Sequence, residues 1–356
     1  MLSIGILGFI VWGCKVMMAL SYGDIGVTNF AICWNGGLVT GPFIKPLFVN
    51  NLYLSTFFKS ENLRKANKAI LVSQSAGNRT NLSSSSETTR EKSFNFKVLK
   101  AVDPTFLTWF IGFSEGDGAI LCYRNKPLFV LTQKERKILI HIKDTLGFGV
   151  VKDYKGYSRY YVTDLYDLRT LTILFNGNLL LNHRKTQLKH WCNVFDIPHN
   201  NSSPDISLSD SWLSGFTDAD GCFTFALENR KDANKQRVRL RFLLDQKAYG
   251  NEETSLKAIK SLFFSGFVSL RSPISKNVFR YTINTFKDID KVILYFTQFP
   301  LKTKKVYSFK LWVQAYNYVL QKDHLQISGL NRIKALKLEL IKNNRAAAKT
   351  GSSLKD

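Results

Sequence analysis

Two short segments of the chain, FIGFSEGDGAI and LSGFTDADGCF, each end an apolar run with two acidic residues and a glycine. The acids are Glu115 and Asp117 in the first segment and Asp218 and Asp220 in the second. Carboxylates that directly follow apolar residues cost stability unless another group compensates their charge. Because the pattern occurs twice, the chain is expected to bring both acidic pairs to one compensated site.

Each acidic pair follows a stretch whose composition predicts a helix. Asp103 and Pro104 are typical of a helix start, with the acid as N-cap and proline in the first turn. They open an apolar helix predicted over Phe106 to Ser114, and Trp212 to Thr217 is its counterpart in the second segment.

Small residues recur at a spacing of four in both predicted helices. They are Gly112 and Gly116 in the first and Gly215 and Ala219 in the second. Small side chains at this spacing let two helix backbones approach closely. These residues therefore predict an interface between the two helices.

If the two helices pack on each other, their C-terminal ends lie side by side. Asp117 and Asp220 occupy matching positions and would then be close together. Two carboxylates at helix ends, where the helix dipole is negative, favour a hard divalent cation between them. The sequence therefore predicts a metal site at this point.

The same order of elements follows each motif helix. The first half has these elements: a hairpin of Ala119–Arg124 and Leu128–Thr132 around Asn125-Lys126-Pro127, a helix at Lys134–Leu146 stopped by Gly147, a hairpin of Phe148–Tyr154 and Ser158–Val162, and helices to about Phe195. The second half repeats the order: strands Cys222–Glu228 and Arg237–Leu244 around a polar loop, helix Glu252–Phe264, strands Gly266–Leu270 and Val278–Asn284, and helices over Thr285–Leu320. The pattern predicts an α+β fold of tandem αββαββα repeats, a pseudo-dimer within one chain.

The whole chain divides by composition into seven segments. They are an apolar segment (1–20), an unassigned extension (21–72), a low-complexity linker (73–97), the first repeat (98–196), a linker (197–208), the second repeat (209–322) and a C-terminal helix with a basic tail (323–356). The apolar segment carries one charge, Lys15, and is long enough to be a membrane-span candidate.

The composition is strongly basic. Fifty Lys and Arg residues against 27 Asp and Glu residues give a net charge of +23. This charge indicates a polyanionic partner, with nucleic acid as the first candidate and a membrane surface or ribosomal RNA as alternatives. The five cysteines show neither a CxxC pair nor zinc-type spacing with histidines, so the sequence predicts no disulfide framework and no structural metal.

The two motifs resemble the nine-residue signature of the LAGLIDADG homing endonucleases, in the single-chain, two-motif type. FIGFSEGDG and LSGFTDADG match it, and the resemblance covers about residues 100 to 320. It implies a saddle-shaped DNA-binding sheet, a functional monomer and Mg²⁺-dependent cleavage of double-stranded DNA. The ligands it implies are Asp117 and Asp220, with the backbone carbonyls of Gly116 and Ala219 as additional donors.

The resemblance also implies supporting residues around the acids. Gln133 and Gln246 would orient the hydrolytic water, and Arg184 and Lys304 would stabilise charge on the phosphate. Lys185 and Lys305 remain alternatives for the basic pair, because the register is open at these positions. The acids at the sixth motif position, Glu115 and Asp218, are expected to give structural or electrostatic support.

Strand residues are expected to read the DNA, since a two-stranded ribbon fits the major groove and flanking basic residues reach phosphates. The candidates are Arg124, Lys126, Lys152, Arg159, Arg230, Arg237, Arg239, Arg241, Arg271 and Arg280, with Tyr123, Lys155, Asn229, Lys231, Lys235, Gln236 and Lys276 beside them. Unlike halves imply an asymmetric target.

The N-terminal stretch SIGILGFIVW, residues 3–12, resembles a transmembrane stretch of mitochondrial cytochrome c oxidase subunit 1. The resemblance implies an exon remnant fused to an intron-encoded protein, and a mitochondrial location. Two alternatives stay open. One is an RNA maturase that binds its own intron RNA, and the other is a basic nucleic-acid-binding protein anchored in a membrane by residues 1–20.

Overall fold

The computed structural model describes the backbone of residues 5–12, 15–21, 28–34, 37–38, 99, 101–230, 233–249, 252–271 and 277–348. Side chains are described from residue 99 onward, except at positions 230, 233–235 and 345–348. The chain forms two compact units, Met1–Arg79 and Thr80–Asp356. The predicted linker at 73–97 lies outside the described residues.

The first unit contains an antiparallel four-stranded sheet in the order β1-β2-β3-β4. Its strands are β1 (Gly5–Trp12), β2 (Lys15–Ser21), β3 (Thr28–Trp34) and β4 (Gly37–Leu38). The apolar segment at 1–20, a membrane-span candidate by composition, therefore contributes two strands. Within the described ranges, no helix combines the length and the apolar character needed to cross a bilayer.

The second unit begins with the first repeat. Its elements are α1 (Pro104–Asp117), β5 (Gly118–Tyr123), β6 (Lys126–Gln133), α2 (Arg136–Leu146), β7 (Val150–Tyr154), β8 (Tyr157–Val162), α3 (Leu165–Phe175) and α4 (Asn182–Val194). The strands form one antiparallel sheet in the order β5-β6-β8-β7.

The second repeat has the same order of elements. They are α5 (Trp212–Asp220), β9 (Gly221–Arg230), β10 (Ala233–Lys247), α6 (Glu252–Phe263), β11 (Phe267–Leu270), β12 (Val278–Ile283), α7 (Phe286–Gln298) and α8 (Lys305–Leu320), followed by a short 3₁₀ helix (Asp323–Leu325) and α9 (Ile327–Ala348). The sheet order is β9-β10-β12-β11, equivalent to that of the first repeat. The predicted α+β fold of tandem αββαββα repeats is confirmed.

The two motif helices are longer than predicted. Helix α1 starts at Pro104, capped by the Asp103 carboxylate, which accepts from the Thr105 N–H over 3.0 Å. It continues to Asp117, and α5 continues to Asp220, so the acids lie in the last helical turn rather than beyond it. A helix that is apolar on all sides is typical of a buried one, and residues 106–115 of α1 are all buried.

The backbones of α1 and α5 are in contact at the small residues. A Cβ atom on Gly112 would lie 2.0 Å from the Trp212 carbonyl oxygen, and one on Gly215 would lie 1.9 Å from the Trp109 carbonyl oxygen. A Cβ on Gly116 would lie 2.3 Å from the Cβ of Ala219. Only glycine allows this approach at Gly112 and Gly215, because the obstructing atoms are backbone.

Two hairpins differ from their predictions. The first turns at Arg124 and Asn125, whose positive φ angles of 47° and 58° suit a tight hairpin turn, and β6 already begins at Lys126. Pro127, predicted to lie in the turn, pairs with Cys122 at the end of β6 where β8 does not yet pair. A proline is tolerated there because no neighbouring strand lies on that side to accept the hydrogen bond that proline cannot donate.

The second hairpin extends through the polar segment that was predicted to be a loop. Strands β9 and β10 run to Arg230 and from Ala233, and Glu228 pairs with Arg237 along the way. Opposite charges across neighbouring strands stabilise such an extension. Charged residues therefore form part of the sheet itself.

Candidate active site

The C-terminal ends of the two motif helices bring Asp117 and Asp220 together. A Cβ atom on Gly116 would lie 3.0 Å from the Asp220 Oδ2 atom, so the Asp220 carboxylate rests against the backbone of the first motif. Burial and the nearby charge of Asp220 raise the pKa of Asp117 to about 7, against the opposing effect of Lys305, Gln133 and Arg184. The two carboxylates thus repel each other and favour a cation.

One glutamine from each sheet holds one of these acids. Gln133, the last residue of β6, donates its side-chain N–H to Asp117 Oδ2 over 2.5 Å. Gln246 of β10 donates to Asp220 Oδ2 over 2.6 Å. The two predicted glutamines therefore contact equivalent oxygens and fix the orientation of both carboxylates.

A cationic side chain from the last pair of helices in each half reaches the same place. Arg184 of α4 donates to the carbonyl oxygens of Glu115 (2.8 Å) and Gly116 (3.0 Å). Lys305, the first residue of α8, donates to the carbonyl oxygens of Thr217 (3.1 Å) and Ala219 (2.6 Å).

The cation of the second half is therefore one residue further along than the predicted Lys304. Lys304 is exposed, and its backbone N–H donates to Glu135 Oε2 over 2.8 Å. Lys304 is the N-cap residue of α8, one position before Lys305. The alternative in the first half, Lys185, is buried elsewhere and donates to Ser203 Oγ over 2.7 Å.

The carbonyls of Gly116 and Ala219, considered as extra metal donors, already accept from Arg184 and Lys305. No group of three or more His, Cys, Asp or Glu side chains suited to a metal occurs among the residues that the structure describes. The acidic oxygens available for a cation in this cluster are thus those of Asp117 and Asp220.

The acids at the sixth motif position make a second set of contacts, away from the pair formed by Asp117 and Asp220. Glu115 is fully buried and accepts from the backbone N–H groups of Leu180 and Leu181 and, over 3.0 Å, from the Trp212 indole N–H. Burial raises its pKa to about 7, and these donors oppose the shift.

Asp218 is held in the same way. It accepts from the Trp109 indole N–H over 2.9 Å, from the backbone N–H groups of Lys302 (2.7 Å) and Thr303 (3.1 Å), and from the Thr303 hydroxyl (2.5 Å). Each sixth-position acid therefore links the tryptophan of the other half to a segment of its own half. That segment lies just before α4 in the first half and just before α8 in the second half.

Trp109 and Trp212 were not predicted to be site residues. A signal for them was present, because each tryptophan directly precedes its nine-residue motif. A contact between the halves at His183, whose Nδ1 lies 2.9 Å from Glu252 Oε1, was not predicted either.

The candidate DNA-contacting residues whose side chains the structure describes lie on the faces of the two sheets that point away from the helices, or at hairpin ends. Lys152 and Arg159 lie on this outward face of the first sheet, while Arg124 lies in the hairpin turn and Lys126 directly follows the turn. On the second sheet the outward residues are Arg237, Arg239, Arg241, Arg271 and Arg280. The side chains of Arg230 and Lys235 and the whole of residues 231 and 276 lie outside the described part.

Comparison with known proteins gives three results. Residues 213–316 match the family described as LAGLIDADG endonuclease. A probable intron-encoded endonuclease 4 of Neurospora crassa is 38% identical over 283 residues, which are 76% of this chain and 49% of that protein. The chain thus spans about half the length of this relative.

An uncharacterized cox1 intron-2 protein of Schizosaccharomyces pombe is 28% identical over 282 residues, which are 74% of this chain and 83% of that protein. Among solved structures, the LAGLIDADG meganuclease I-AabMI bound to uncleaved DNA matches with a TM-score of 0.55 and 22% identity, covering 65% of this chain and 97% of that one. Residues 213–316 therefore carry a LAGLIDADG endonuclease family domain, and the second unit has the fold of this solved meganuclease.

Proposed function

We propose that this protein is a site-specific homing endonuclease that makes a double-strand break in a long, asymmetric DNA target. The observation that supports the proposal is the paired arrangement around Asp117 and Asp220. Each half supplies one carboxylate, one glutamine and one cationic side chain there. Two such sets, related by pseudo-symmetry, match the two strands that must be cut.

The residues around Asp117 and Asp220 fit a divalent cation, which in this proposal is Mg²⁺. Mg²⁺ is commonly held by one or two carboxylates together with waters and substrate phosphates, and Asp117 and Asp220 would be those carboxylates. When bound, the cation lowers the pKa of a coordinated water and neutralises charge on the phosphate. The raised pKa of Asp117 supports this assignment, because burial and the charge of Asp220 disfavour its ionised form, and a cation between the two carboxylates would relieve their repulsion.

The other residues act on orientation and charge. Gln133 and Gln246 fix the carboxylates, and the remaining hydrogen-bonding capacity of each amide is available to a water molecule. Arg184 and Lys305 place positive charge beside the position of the phosphate, where negative charge develops during cleavage. Lys305 takes the role that the sequence assigned to Lys304.

The proposed substrate is the intronless allele of the gene that carries the intron. Residues 3–12 resemble cytochrome c oxidase subunit 1, and the S. pombe relative is described as a cox1 intron protein. The target would then span the exon junction at or just after the codon for Trp12, and cleavage in the mitochondrion would promote intron homing. The net charge of +23 supports binding to a long duplex.

The test uses the purified full-length chain and two plasmids, one with the joined exons and one with the intron-containing gene. The wild type with Mg²⁺ should cut only the joined exons, and EDTA should stop cleavage. Asp117→Asn and Asp220→Asn should each abolish the double-strand break and leave specific DNA binding intact. Asp144→Asn makes the same chemical change at an exposed acid on α2 and should cut like the wild type.

Wild-type cutting by either active-site variant would contradict the roles of the two acids. Absence of cleavage of any exon-junction DNA, together with specific binding of the intron transcript, would favour the RNA maturase instead. Equal cutting of both plasmids would rule out the proposed target.

A further inference from the structure

The two sheets differ in the chemistry of their outward faces. In β8 of the first sheet, Ser158, Tyr160 and Val162 are buried, so Tyr157 and Tyr161 point outward with Arg159. In β10 of the second sheet, Leu240 and Phe242 are buried, so Arg239 and Arg241 point outward. The pseudo-symmetric fold therefore presents two chemically different surfaces to a ligand that contacts both sheets.

The first outward face is formed mainly by tyrosines and aliphatic side chains. Tyr154 and Tyr157 stack with ring centroids 5.0 Å apart, and the Tyr154 and Tyr161 hydroxyls are 2.9 Å apart. Leu121 and Val150 on the same face are 44% and 56% exposed.

The basic groups on this face are engaged by the aromatic rings. The Arg159 guanidinium lies 5.2 Å from the Tyr157 ring centroid, and its Nε donates to Thr132 Oγ1 over 3.2 Å. Lys152 lies over the Tyr161 ring at 5.7 Å. The surface available to a ligand here is therefore largely apolar, edged by hydroxyl groups.

The second outward face is formed by arginines that are oriented by carboxylates. Arg280 of β12 makes a bidentate pair with Asp245 of β10, at 2.6 and 2.7 Å, and Arg271 lies 3.7 Å from the same carboxylate. The bidentate contact fixes the plane of the Arg280 guanidinium.

A second carboxylate contacts two further arginines of this face, one through each of its oxygens. Glu228 of β9 lies 3.1 Å from Arg241 and 3.2 Å from Arg239. These side chains are about one-third exposed, at 34% for Arg239, 36% for Arg241 and 33% for Glu228. They thus remain accessible while their conformational freedom is reduced, which lowers the entropy lost on binding.

We propose that the second half reads a G·C-rich half-site and the first half reads an A·T-rich half-site of the target duplex. The inference rests on the proposed function. Arginine pairs in a bidentate manner with guanine O6 and N7, whereas apolar side chains contact the thymine methyl group in the major groove. The difference between the two faces thereby determines the orientation in which the enzyme binds its target duplex.

The experiment selects bound duplexes from a randomised DNA library with the full-length Asp117→Asn variant and sequences them. The selected site should have one G·C-rich and one A·T-rich half. Arg280→Ala should lower the preference for G·C at one position of the G·C-rich half by about 10- to 100-fold, the effect of losing one good base contact. The A·T-rich half should keep its sequence.

The control is Arg136→Ala, which removes an arginine from an exposed ion pair in which its Nε donates to both carboxylate oxygens of Asp153, an acid outside the outward face of the first sheet. Its selected site should equal that of the parent. A selected site with equal base composition in both halves, or one that Arg280→Ala leaves unchanged, would overturn the inference and leave the proposed function standing. Failure to select any duplex would overturn both.

Discussion

Trp109 of the first repeat donates its indole N–H to Asp218 of the second repeat over 2.9 Å, deep in the interface between the motif helices. The reciprocal bond joins Trp212 to Glu115 over 3.0 Å. Each buried carboxylate thus depends on the other half for one of its donors. An unpaired carboxylate at this depth would be costly, so the two repeats stabilise each other through the acids of their own motifs.

Replacing Trp109 with Phe should lower the free energy of unfolding by about 1.5–3 kcal/mol beyond the loss of ring volume, because a buried carboxylate loses a donor. The control is Trp191→Phe, in which an equally buried indole donates to the neutral Leu121 carbonyl over 2.7 Å. Its hydrogen-bond loss should be about 0.5–1.5 kcal/mol. Urea unfolding curves measure both, and equal losses would show that the charge of Asp218 adds nothing.

Gly215→Ala should destabilise the protein by about 3 kcal/mol, at the upper end for overpacking, because the new methyl group meets backbone that cannot move aside. The obstructing atoms are the Trp109 carbonyl oxygen at 1.9 Å and the Phe113 nitrogen at 2.8 Å. Gly147→Ala is the control, since its Cβ would meet nothing within 4 Å and only the positive φ of 79° is strained.

The control should cost about 1–2 kcal/mol. Thermal and urea unfolding provide the measurement for both variants. Equal stability losses at the two glycines would mean that the motif helices do not need their close approach.

Much of this architecture could be predicted from the sequence, because its signals are local or repeated. The order of elements followed from apolar periodicity, and Gly147 ends α2 in the left-handed conformation that favours glycine. Repetition of the motif placed Asp117 and Asp220 at equivalent points, and the small residues fixed the packing of their helices. Such features depend on residues that are close together in the chain.

The errors arose where long-range contacts decide. The polar segment from Glu228 to Arg237 was expected to form a loop, but Glu228 pairs with Arg237 and Asn229 pairs with Gln236 as part of the sheet. Lys304 and Lys305 are equivalent by composition, and only the start of α8 determines which one reaches the Ala219 carbonyl. Propensity alone cannot separate these alternatives.

The stability of the protein should decrease more steeply below pH 6.5 when His183 is present. Burial lowers the pKa of His183 from its usual 6.5, with a further contribution from Arg184, while Glu252 and Asp220 oppose the shift. Because the pKa of His183 is lowered in the folded state, folding favours the neutral ring. The contribution of this ring to the free energy of unfolding is therefore complete above the unfolded pKa of 6.5. The contribution is then lost as the pH falls through the folded pKa.

His183→Asn keeps a side-chain donor for Glu252 but does not titrate. The variant should show a smaller loss of unfolding free energy between pH 8 and pH 5.5 than the wild type, measured in urea at several pH values. Parallel curves for the two proteins would show that His183 does not couple the stability to pH.

Lys305→Met should lower the rate of DNA cleavage by at least about 100-fold, the typical cost of removing one group that stabilises transition-state charge. Lys305 donates to the carbonyls of Thr217 and Ala219, next to Asp220, whereas the adjacent Lys304 is exposed and its backbone N–H donates to Glu135. Lys304→Met removes an identical charge one residue away and should cut at nearly the wild-type rate. Single-turnover cleavage at saturating DNA measures this step apart from binding.

The first repeat supplies a third variant for this comparison. Arg184 occupies the matching position there and donates to the Gly116 carbonyl over 3.0 Å, so an arginine is compatible with the site. Lys305→Arg should therefore recover much of the rate that Lys305→Met loses, with urea unfolding curves confirming that both variants are folded. If Lys304→Met were the slower of the two methionine variants, the assignment of the second cation to Lys305 would be wrong.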